Sequence, residues 1–154
     1  MKSILSLVLI NLVLTVGAVQ AAPKLTIHHA NGSETLDRAQ LEAMPQISLT
    51  TQTPYFDGDV AFSGPSVQQL LDRYEVTDDA EVTLRALNNY QVSVEARELR
   101  QLGAIVATRM NGKTMSVRNR GPFWVMLPLS ERPELDHEDY HRLMIWQLSE
   151  IDLD

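Results

Sequence analysis

The sequence of 154 residues contains no cysteine, and its acidic residues outnumber its basic ones. Without a thiol the chain can form no disulfide, zinc–thiolate site or iron–sulfur cluster, and no cysteine can act as nucleophile or metal ligand. Thirteen Lys and Arg against 20 Asp and Glu give a formal net charge of −7. This balance argues against nucleic acid as a partner, because neutralising phosphates requires a basic face.

The N-terminal segment has the pattern of a secretory signal. Lys2 provides a positive start, residues 4–16 are almost continuously apolar, and residues 17–22 are mostly small. This pattern predicts a signal peptide over residues 1–22, cut after Ala21 or Ala22, and a mature domain over residues 23–154 in the periplasm with no membrane insertion of its own. The alternative is an uncleaved anchor helix, although the apolar run is short for a bilayer span.

The rest of the chain predicts a single α+β domain, with no internal repeat or linker. Alternating or continuous apolar residues predict strands over 24–28, 47–55, 81–86, 90–94, 104–110, 114–117, 123–127 and 143–148, followed by an acidic tail. Hairpin or loop signals occur at residues 31–32, 57–59, 88–89 and 111–112. Three short helices are expected: one capped by Asp37 and stopped by Pro45, one running from the cap Ser66 to Tyr74, and one over 95–101.

Two catalytic or metal-binding interpretations can be drawn from these residues. His137 and His141 are four residues apart and would share a face of a helix, with carboxylates between them, as in a zinc or copper site. The simpler interpretation is a solvated acidic loop. His28 and His29 point to opposite faces of a strand, so they do not bind one ion together. The Gly-x-Ser-x-Gly elbow of many hydrolases is absent, and Asp57 with Asp59 is more typical of a turn than of an acid–base pair.

Arginine is concentrated in the second half of the chain. The residues concerned are Arg109, Arg118, Arg120, Arg132 and Arg142. Guanidinium groups can donate paired hydrogen bonds to a carbonyl or stack on a flat ring, which makes the loop 118–124 a candidate ligand wall. Gly121 would let a ligand approach the backbone, and Pro122 fixes the turn. Pairing with surface acids is the competing explanation of these arginines.

Four segments together resemble a known family. They are FSGPSVQQLL at 62–71, ALNNY at 86–90, MNGKTMSVRNRGPFW at 110–124 and IWQL at 145–148. In order and spacing they resemble the molybdopterin-binding domain of the sulfite-oxidase-fold family. They are most similar to its small stand-alone exported members, the pterin-binding regulatory proteins of the PruR type. The resemblance implies a single sulfite-oxidase-type molybdopterin-binding domain with mixed β-sheets and short flanking helices.

The absence of cysteine separates this chain from the catalytic members of that family. In those members a cysteine early in the domain binds molybdenum, near the region that resembles residues 50–55 here, where this chain has threonines. A hydroxyl is a poor substitute for a soft thiolate, so we expect no molybdenum and no catalytic residue. A pocket for the organic part of the cofactor, a metal-free pterin, would remain.

The expected pterin site is a cleft between the turn 88–90 and the loop 118–124. Tyr90 or Trp124 would stack on the ring, although Trp124 has an equal claim to the core, and Trp146 is assigned to the core. The polar edge would be bound by Asn88, Asn89, Arg118 and backbone groups near Gly121. Two weaker candidates complete the set: Asp57 as acceptor for the 2-amino and N3 hydrogens, and Arg142 as the residue that closes the pocket.

Three functions follow from these expectations. The first is a ligand-sensing regulator whose partner, by resemblance, is the periplasmic part of an inner-membrane enzyme controlling cyclic di-GMP. The second is a molybdopterin-dependent oxidoreductase subunit that holds the intact cofactor without thiolate ligation. The third is a structural domain that binds no heterocycle.

Overall fold

The strands form three sheets in the computed structural model, which describes residues 21–153. The strands are β1 Lys24–His29, β2 Gly32–Asp37, β3 Gln46–Thr53, β4 Phe56–Pro65, β5 Glu81–Ala86, β6 Gln91–Glu95, β7 Ile105–Ala107, β8 Arg109–Met110, β9 Lys113–Thr114, β10 Trp124–Met126 and β11 Leu148–Leu153. The sheet orders are β2-β1-β11-β5-β6, β3-β4-β8-β9 and β10-β7. Mixed sheets with short helices confirm the predicted α+β class.

The last strand lies in the middle of the five-stranded sheet. β11 pairs in parallel with β1 and antiparallel with β5, and it buries Leu148, Ile151 and Leu153. The prediction of a strand over 143–148 followed by an acidic tail was therefore wrong: the tail is the strand. Residues 143–145 are buried, but Gln147 has a left-handed φ of 53°, which ends that segment before β11 begins.

The long hairpin of β3 and β4 corrects another prediction. Thr53 pairs with Phe56, so the turn consists of residues 54–55. The segment 57–59, predicted as a loop, lies within β4 at a register shift opposite Thr51 and Thr53, where Gly58 has φ 77°. The turn chemistry of these residues thus produces a bulge-like irregularity in a strand.

Two further predicted strands are shorter than expected. The segment 104–110 breaks at Thr108, whose N–H donates to Ser63, so that β7 pairs with β10 and β8 pairs with β4. Only Lys113–Thr114 pairs back across the turn 111–112, so the strand predicted over 114–117 ends at Thr114, and its last residue begins a 3-10 helix over 117–119. The first hairpin turn consists of residues 30–31, one position earlier than predicted, because His29 pairs with Gly32.

Four short α-helices connect these strands in the described part of the chain. They are α1 Arg38–Ala43, α2 Val67–Arg73, α3 Ala96–Gln101 and α4 Glu138–His141. Asp37 caps α1 in a capping box with Gln40, and the Ser66 hydroxyl accepts from the N–H of Gln69 at the start of α2. Both predicted caps are confirmed, because each hydroxyl or carboxylate satisfies an N–H without a helical partner.

One continuous apolar core joins the sheets. Its largest fully buried side chains include Trp124, Phe62 and Phe123, and β10 is buried on both faces as predicted. At one side of the core Arg109 donates to both carboxylate oxygens of Glu42, at 2.8 and 3.0 Å, which links β8 to α1. The predicted signal segment lies almost entirely outside the described residues. Between residues 21 and 153, no helix has the length and apolar character to cross a membrane.

Candidate functional site: two adjoining cavities at Trp146

A cluster of aromatic rings forms the floor of the candidate site. Trp124 is fully buried, and its indole N–H donates to the carbonyl of Met144 over 3.0 Å. Trp146 is half-buried and meets Tyr55 edge to face, with centroids 5.1 Å apart and an angle of 88°. Of the two roles open for Trp124, the structure assigns it to the core. Trp146 was expected in the core but borders both cavities.

The first cavity, of about 440 Å³, lies between the turn 88–90 and the segment 141–146. Its walls are Tyr55, Ala86, Asn88, Tyr90, Glu138, His141, Arg142, Met144, Ile145 and Trp146. Three aromatic side chains and few polar groups in a volume between about 300 and 1,000 Å³ are typical of a small-molecule site. Two charged residues also line this cavity: Glu138 at the start of α4 and Arg142 at its end.

Hydrogen bonds hold the walls of the first cavity in place. The Asn88 carboxamide oxygen accepts from the N–H of Tyr90 over 3.0 Å, and Asn89 has φ 66°, as a tight turn requires. The Tyr90 hydroxyl lies 3.4 Å from the carbonyl of Arg142, and the Arg142 guanidinium lies 3.4 Å from the carbonyl of Ser93. These long bonds connect β6 and the residue before it to the end of α4.

Burial affects the chemistry of one phenol at this site. It raises the pKa of Tyr55 above its ordinary value, and the nearby Tyr90 adds to the shift while Arg120 opposes it. The Tyr55 hydroxyl is therefore protonated at neutral pH and can act as a hydrogen-bond donor. It lies 3.5 Å from the carbonyl of His141, to which it donates.

The second cavity, of about 360 Å³, lies on the other side of Trp146. It is lined by Phe56, Met110, Val117, Arg118, Asn119, Arg120, Trp146 and Gln147. The Arg120 guanidinium carbon is 4.8 Å from the ring centroid of Phe56 and 5.5 Å from that of Trp146. It also lies 5.6 Å from the ring centroids of Tyr55 and Trp124. Arg120 thus connects the aromatic cluster to the second cavity.

The segment 144–147 separates the two halves of the predicted cleft. The N–H of Gln147 donates to the carbonyl of Arg120 over 2.9 Å, and its side-chain amide donates to Val117 over 2.9 Å. On the opposite side, the N–H of Leu87 donates to the carbonyl of Gln147 over 3.0 Å. The turn 88–90 and the loop 118–124 therefore face different cavities.

The structure brings together part of the predicted site. Asn88, Tyr90 and Arg142 line the first cavity, and Arg118 lines the second. Asp57 is exposed in β4 and, like Asn89, lines neither cavity.

Gly121 has a different role from the predicted one. A Cβ at this position would lie 2.2 Å from the carbonyl oxygen of Met115. Its close approach is therefore to the chain's own backbone.

The histidine pair does not form a metal site with its neighbours. His137 caps α4, whereas the His141 ring lies 2.7 Å from a carboxylate oxygen of Asp136. Across residues 21–153, no three His, Asp or Glu side chains are grouped closely enough to hold an ion.

Two of the three threonines in the segment 50–55, which resembles the region of the family's cysteine, are already hydrogen-bonded. The Thr51 hydroxyl donates to the carbonyl of Gln52 over 3.1 Å and accepts from the N–H of Ser130 over 3.1 Å. The Thr53 hydroxyl accepts from the N–H of Tyr55 over 3.2 Å. Both side chains are buried, and neither lines a cavity.

Comparison with known proteins agrees with this fold. The model of the oxidoreductase molybdopterin binding domain matches residues 4–131. The chain belongs to that family. A solved structure, the sulfane dehydrogenase SoxCD from Paracoccus pantotrophus, is similar over 89% of this chain with a TM-score of 0.65 and 13% identity. The domain spans 40% of that neighbour's length, and the likeness shows the fold alone. No curated protein sequence matches the chain.

The family binds a molybdopterin cofactor, and the residues of this chain fit only part of that group. The aromatic walls, Glu138 and Arg142 suit a flat heterocycle with a polar edge. The donor set does not fit the metal in the same way, because the chain lacks a thiolate and the hydroxyls of Thr51 and Thr53 are already hydrogen-bonded.

Several residues of the two cavities were missed in the sequence. They are Tyr55, Phe56, Glu138, His141, Met144, Ile145 and Trp146 as ligand-facing positions, whereas Arg120 belongs to the predicted ligand wall 118–124. The segment 143–148 was interpreted as a buried strand, which hid the exposure of Trp146. The signal that could have indicated this exposure is the order of residues in IWQL at 145–148. There the large ring of Trp146 directly precedes the polar Gln147 in an otherwise apolar run.

Proposed function

We propose that this domain binds a metal-free pterin in the first cavity and has no molybdenum redox activity of its own. The observation that supports this most directly is the composition of the cavity wall. Tyr55, Tyr90 and Trp146 provide ring surfaces, while Glu138 and Arg142 provide one acceptor and one donor group. Flat heterocycles with donors and acceptors along one edge are recognised by such a combination.

Each wall residue has a role toward the ring. Tyr90, which is 48% exposed, and Trp146 are available for stacking, and the buried Trp124 packs edge to face against Trp146. Glu138 takes the acceptor role that the sequence suggested for Asp57, since a carboxylate can accept from the 2-amino and N3 hydrogens together. Asn88 and Arg142 serve the remaining polar atoms of the ring.

The metal-free state rests on ligand chemistry. Molybdenum in this family takes a protein thiolate, by the resemblance described above, and this chain has none. The hydroxyls of Thr51 and Thr53 do not replace the thiolate, because a hydroxyl is a hard ligand and each of these two is already hydrogen-bonded to the backbone. The domain therefore retains a ring-binding pocket and lacks the group that anchors the metal.

A signalling role is the second part of the proposal. After cleavage of the signal peptide, the domain acts in the periplasm as a ligand sensor for the periplasmic region of an inner-membrane protein that controls cyclic di-GMP. Such a sensor works only if the loaded domain binds the partner with a different affinity from the empty one. The exposed wall residue Tyr90, three positions after the exposed Leu87, is where a bound ring would alter the surface.

The alternative is a molybdopterin-dependent oxidoreductase subunit. The family description and the similarity to SoxCD, a dehydrogenase, favour it. In that case the domain would hold the whole cofactor without a thiolate and pass electrons to a second protein.

The deciding experiment is analysis of the protein purified from a periplasmic extract. We expect a fluorescent pterin identified by mass spectrometry, molybdenum far below one atom per chain, and less pterin per chain in Trp146→Ala than in the unaltered protein. The exposed variant Glu81→Gln, on β5, is the control. Stoichiometric molybdenum would favour the alternative, and the absence of any heterocycle would leave only a structural domain.

A further inference from the structure

The second cavity differs in charge from the rest of this acidic chain. Its walls include Arg118 and Arg120 but no Asp or Glu, in a protein with 20 acidic residues. Asn119 and Gln147 add amide groups to the same wall. An apolar floor with two guanidinium groups and no carboxylate favours an anionic occupant.

The guanidinium of Arg120 is positioned without using its hydrogen-bond donors. It stacks near four rings, at 4.8 to 5.6 Å from their centroids. Arg73 and Arg109 pair with carboxylates, whereas Arg120 forms no side-chain hydrogen bond or ion pair with any residue from 21 to 153. Stacking fixes the plane of a guanidinium and leaves its edge donors free for an acceptor.

The backbone around Arg120 is held in an unusual conformation. Arg120 has φ 64° and Gln147 has φ 53°, and the two are joined by the hydrogen bond from the N–H of Gln147 to the carbonyl of Arg120. Left-handed conformations are costly for residues other than glycine, and they concentrate at functional sites. Because Gln147 follows Trp146, the same segment presents the stacking ring and supports the arginine.

We propose that the second cavity is the subsite for a negatively charged substituent of the ligand, with Arg120 as the residue that recognises it. The ring occupies the first cavity, and a carboxylate or phosphate on its side chain extends past Trp146 to Arg120 and Arg118. This inference rests on the proposed pterin-binding function and narrows it to acidic pterins. A free inorganic anion has the same chemistry, and the experiment separates the two.

The test compares two fluorescent ligands with the intact protein. The phosphate ester of 6-hydroxymethylpterin, which is the acidic ligand, and 6-hydroxymethylpterin itself, which is neutral, share the ring and differ in the charge of the substituent. We expect the acid to bind about 10- to 100-fold more tightly than the neutral compound, as a charge-assisted hydrogen bond contributes. Its affinity should fall as salt increases, because the added attraction is electrostatic.

Variants of Arg120 locate this preference. Arg120→Gln should bring the ratio of the two affinities close to one, because it weakens binding of the acidic ligand alone. Arg120→Lys should retain part of the preference, because the charge remains but the planar guanidinium is lost. Arg97→Gln, at an exposed site outside both cavities, is the matched control. Thermal melting checks that each variant is folded, and the comparison of ligands in the unaltered protein needs no variant.

The possible outcomes separate this inference from the proposed function. Equal affinity for the two ligands would overturn the subsite while leaving pterin binding intact. Binding of neither ligand would overturn the proposed function and the inference with it. Competition by inorganic phosphate alone, at the same affinity as the acidic pterin, would show a free-anion site and contradict the link to the ring.

Discussion

Trp124 and Trp146 meet edge to face, with ring centroids 6.2 Å apart and an angle of 89° between the planes. Trp124 is fully buried and hydrogen-bonded to Met144, whereas Trp146 is half-buried and borders both cavities. The inner ring therefore fixes the position of the outer one. A rigid stacking surface reduces the entropy lost when a ring binds.

This relationship predicts different solvent access for the only two tryptophans of the chain. Acrylamide should quench the emission of Trp124→Phe, in which only Trp146 remains, and should quench Trp146→Phe weakly, because its remaining indole is buried. Steady-state quenching of the two variants measures this. Equal quenching would contradict the placement of the two rings.

Removal of the outer ring should weaken ligand binding. Trp146→Ala removes the surface shared by the two cavities, so we expect the dissociation constant for a pterin to rise about 2- to 10-fold, as for loss of one aromatic contact. Trp146→Phe retains an aromatic ring and should lose less affinity for the pterin than Trp146→Ala. Fluorescence titration gives the affinities, and an unchanged constant in Trp146→Ala would place the ligand elsewhere.

Local patterns in the sequence predicted most individual elements. The caps Asp37 and Ser66 and the turn 111–112 were predictable because each depends on residues a few positions apart. The identity of β11 was not, because its pairing with β1 joins residues more than a hundred positions apart. The apolar segment 143–145 had the stronger strand pattern, but its carbonyls serve Trp124 and Val125.

The site was less predictable for a related reason. Asn88, Tyr90 and Arg142 were found through residue type and resemblance, and the structure places all three at one cavity. Arg120 and Glu138 required knowledge of which rings and which helix end would adjoin them. Conversely, Gly121 suggested a contact with a ligand, but the structure explains the need for glycine by the close approach of the Met115 backbone.

Two glycines should be intolerant of a methyl group for steric reasons. A Cβ at Gly121 would lie 2.2 Å from the carbonyl oxygen of Met115, and one at Gly64 would lie 1.9 Å from that of Val106. Each neighbour is backbone, so Gly121→Ala and Gly64→Ala should each destabilise the fold by about 3 kcal/mol or more. Gly112→Ala meets no atom within 4 Å but has φ 74°, so about 1 kcal/mol is expected. Urea unfolding measures the loss in free energy of unfolding for each variant. Equal losses at all three positions would contradict this prediction.

The central position of β11 makes its buried side chains essential. Ile151 is 2% exposed, and Ile151→Ala should lower the free energy of unfolding by about 2–5 kcal/mol. Its neighbour Asp152 is half-buried and points to the other face of the sheet. Asp152→Ala should therefore change the free energy of unfolding by about 0.5 kcal/mol at most. Chemical denaturation compares the two variants. A small loss in Ile151→Ala would indicate that the C-terminal segment is a dispensable tail.

Tyr74 should titrate late because of its surroundings at the edge of the core. Burial raises its pKa to about 12, and its hydrogen bond to the carboxylate of Glu34, 2.7 Å long, adds to the shift. Since the folded pKa exceeds the ordinary value near 10, this contribution to stability is complete below pH 10 and is lost as the pH rises toward 12.

Glu34→Gln should lower the pKa of Tyr74, because it removes the anion that disfavours a phenolate while leaving the burial and Arg73 in place. Absorbance titration of tyrosinate in the two proteins measures the shift, with Glu81→Gln as an exposed control. If the last tyrosine titrates at the same pH in Glu34→Gln, the carboxylate does not act on Tyr74. The difference in stability between the two proteins should also narrow above pH 10, because ionised Tyr74 no longer donates to Glu34.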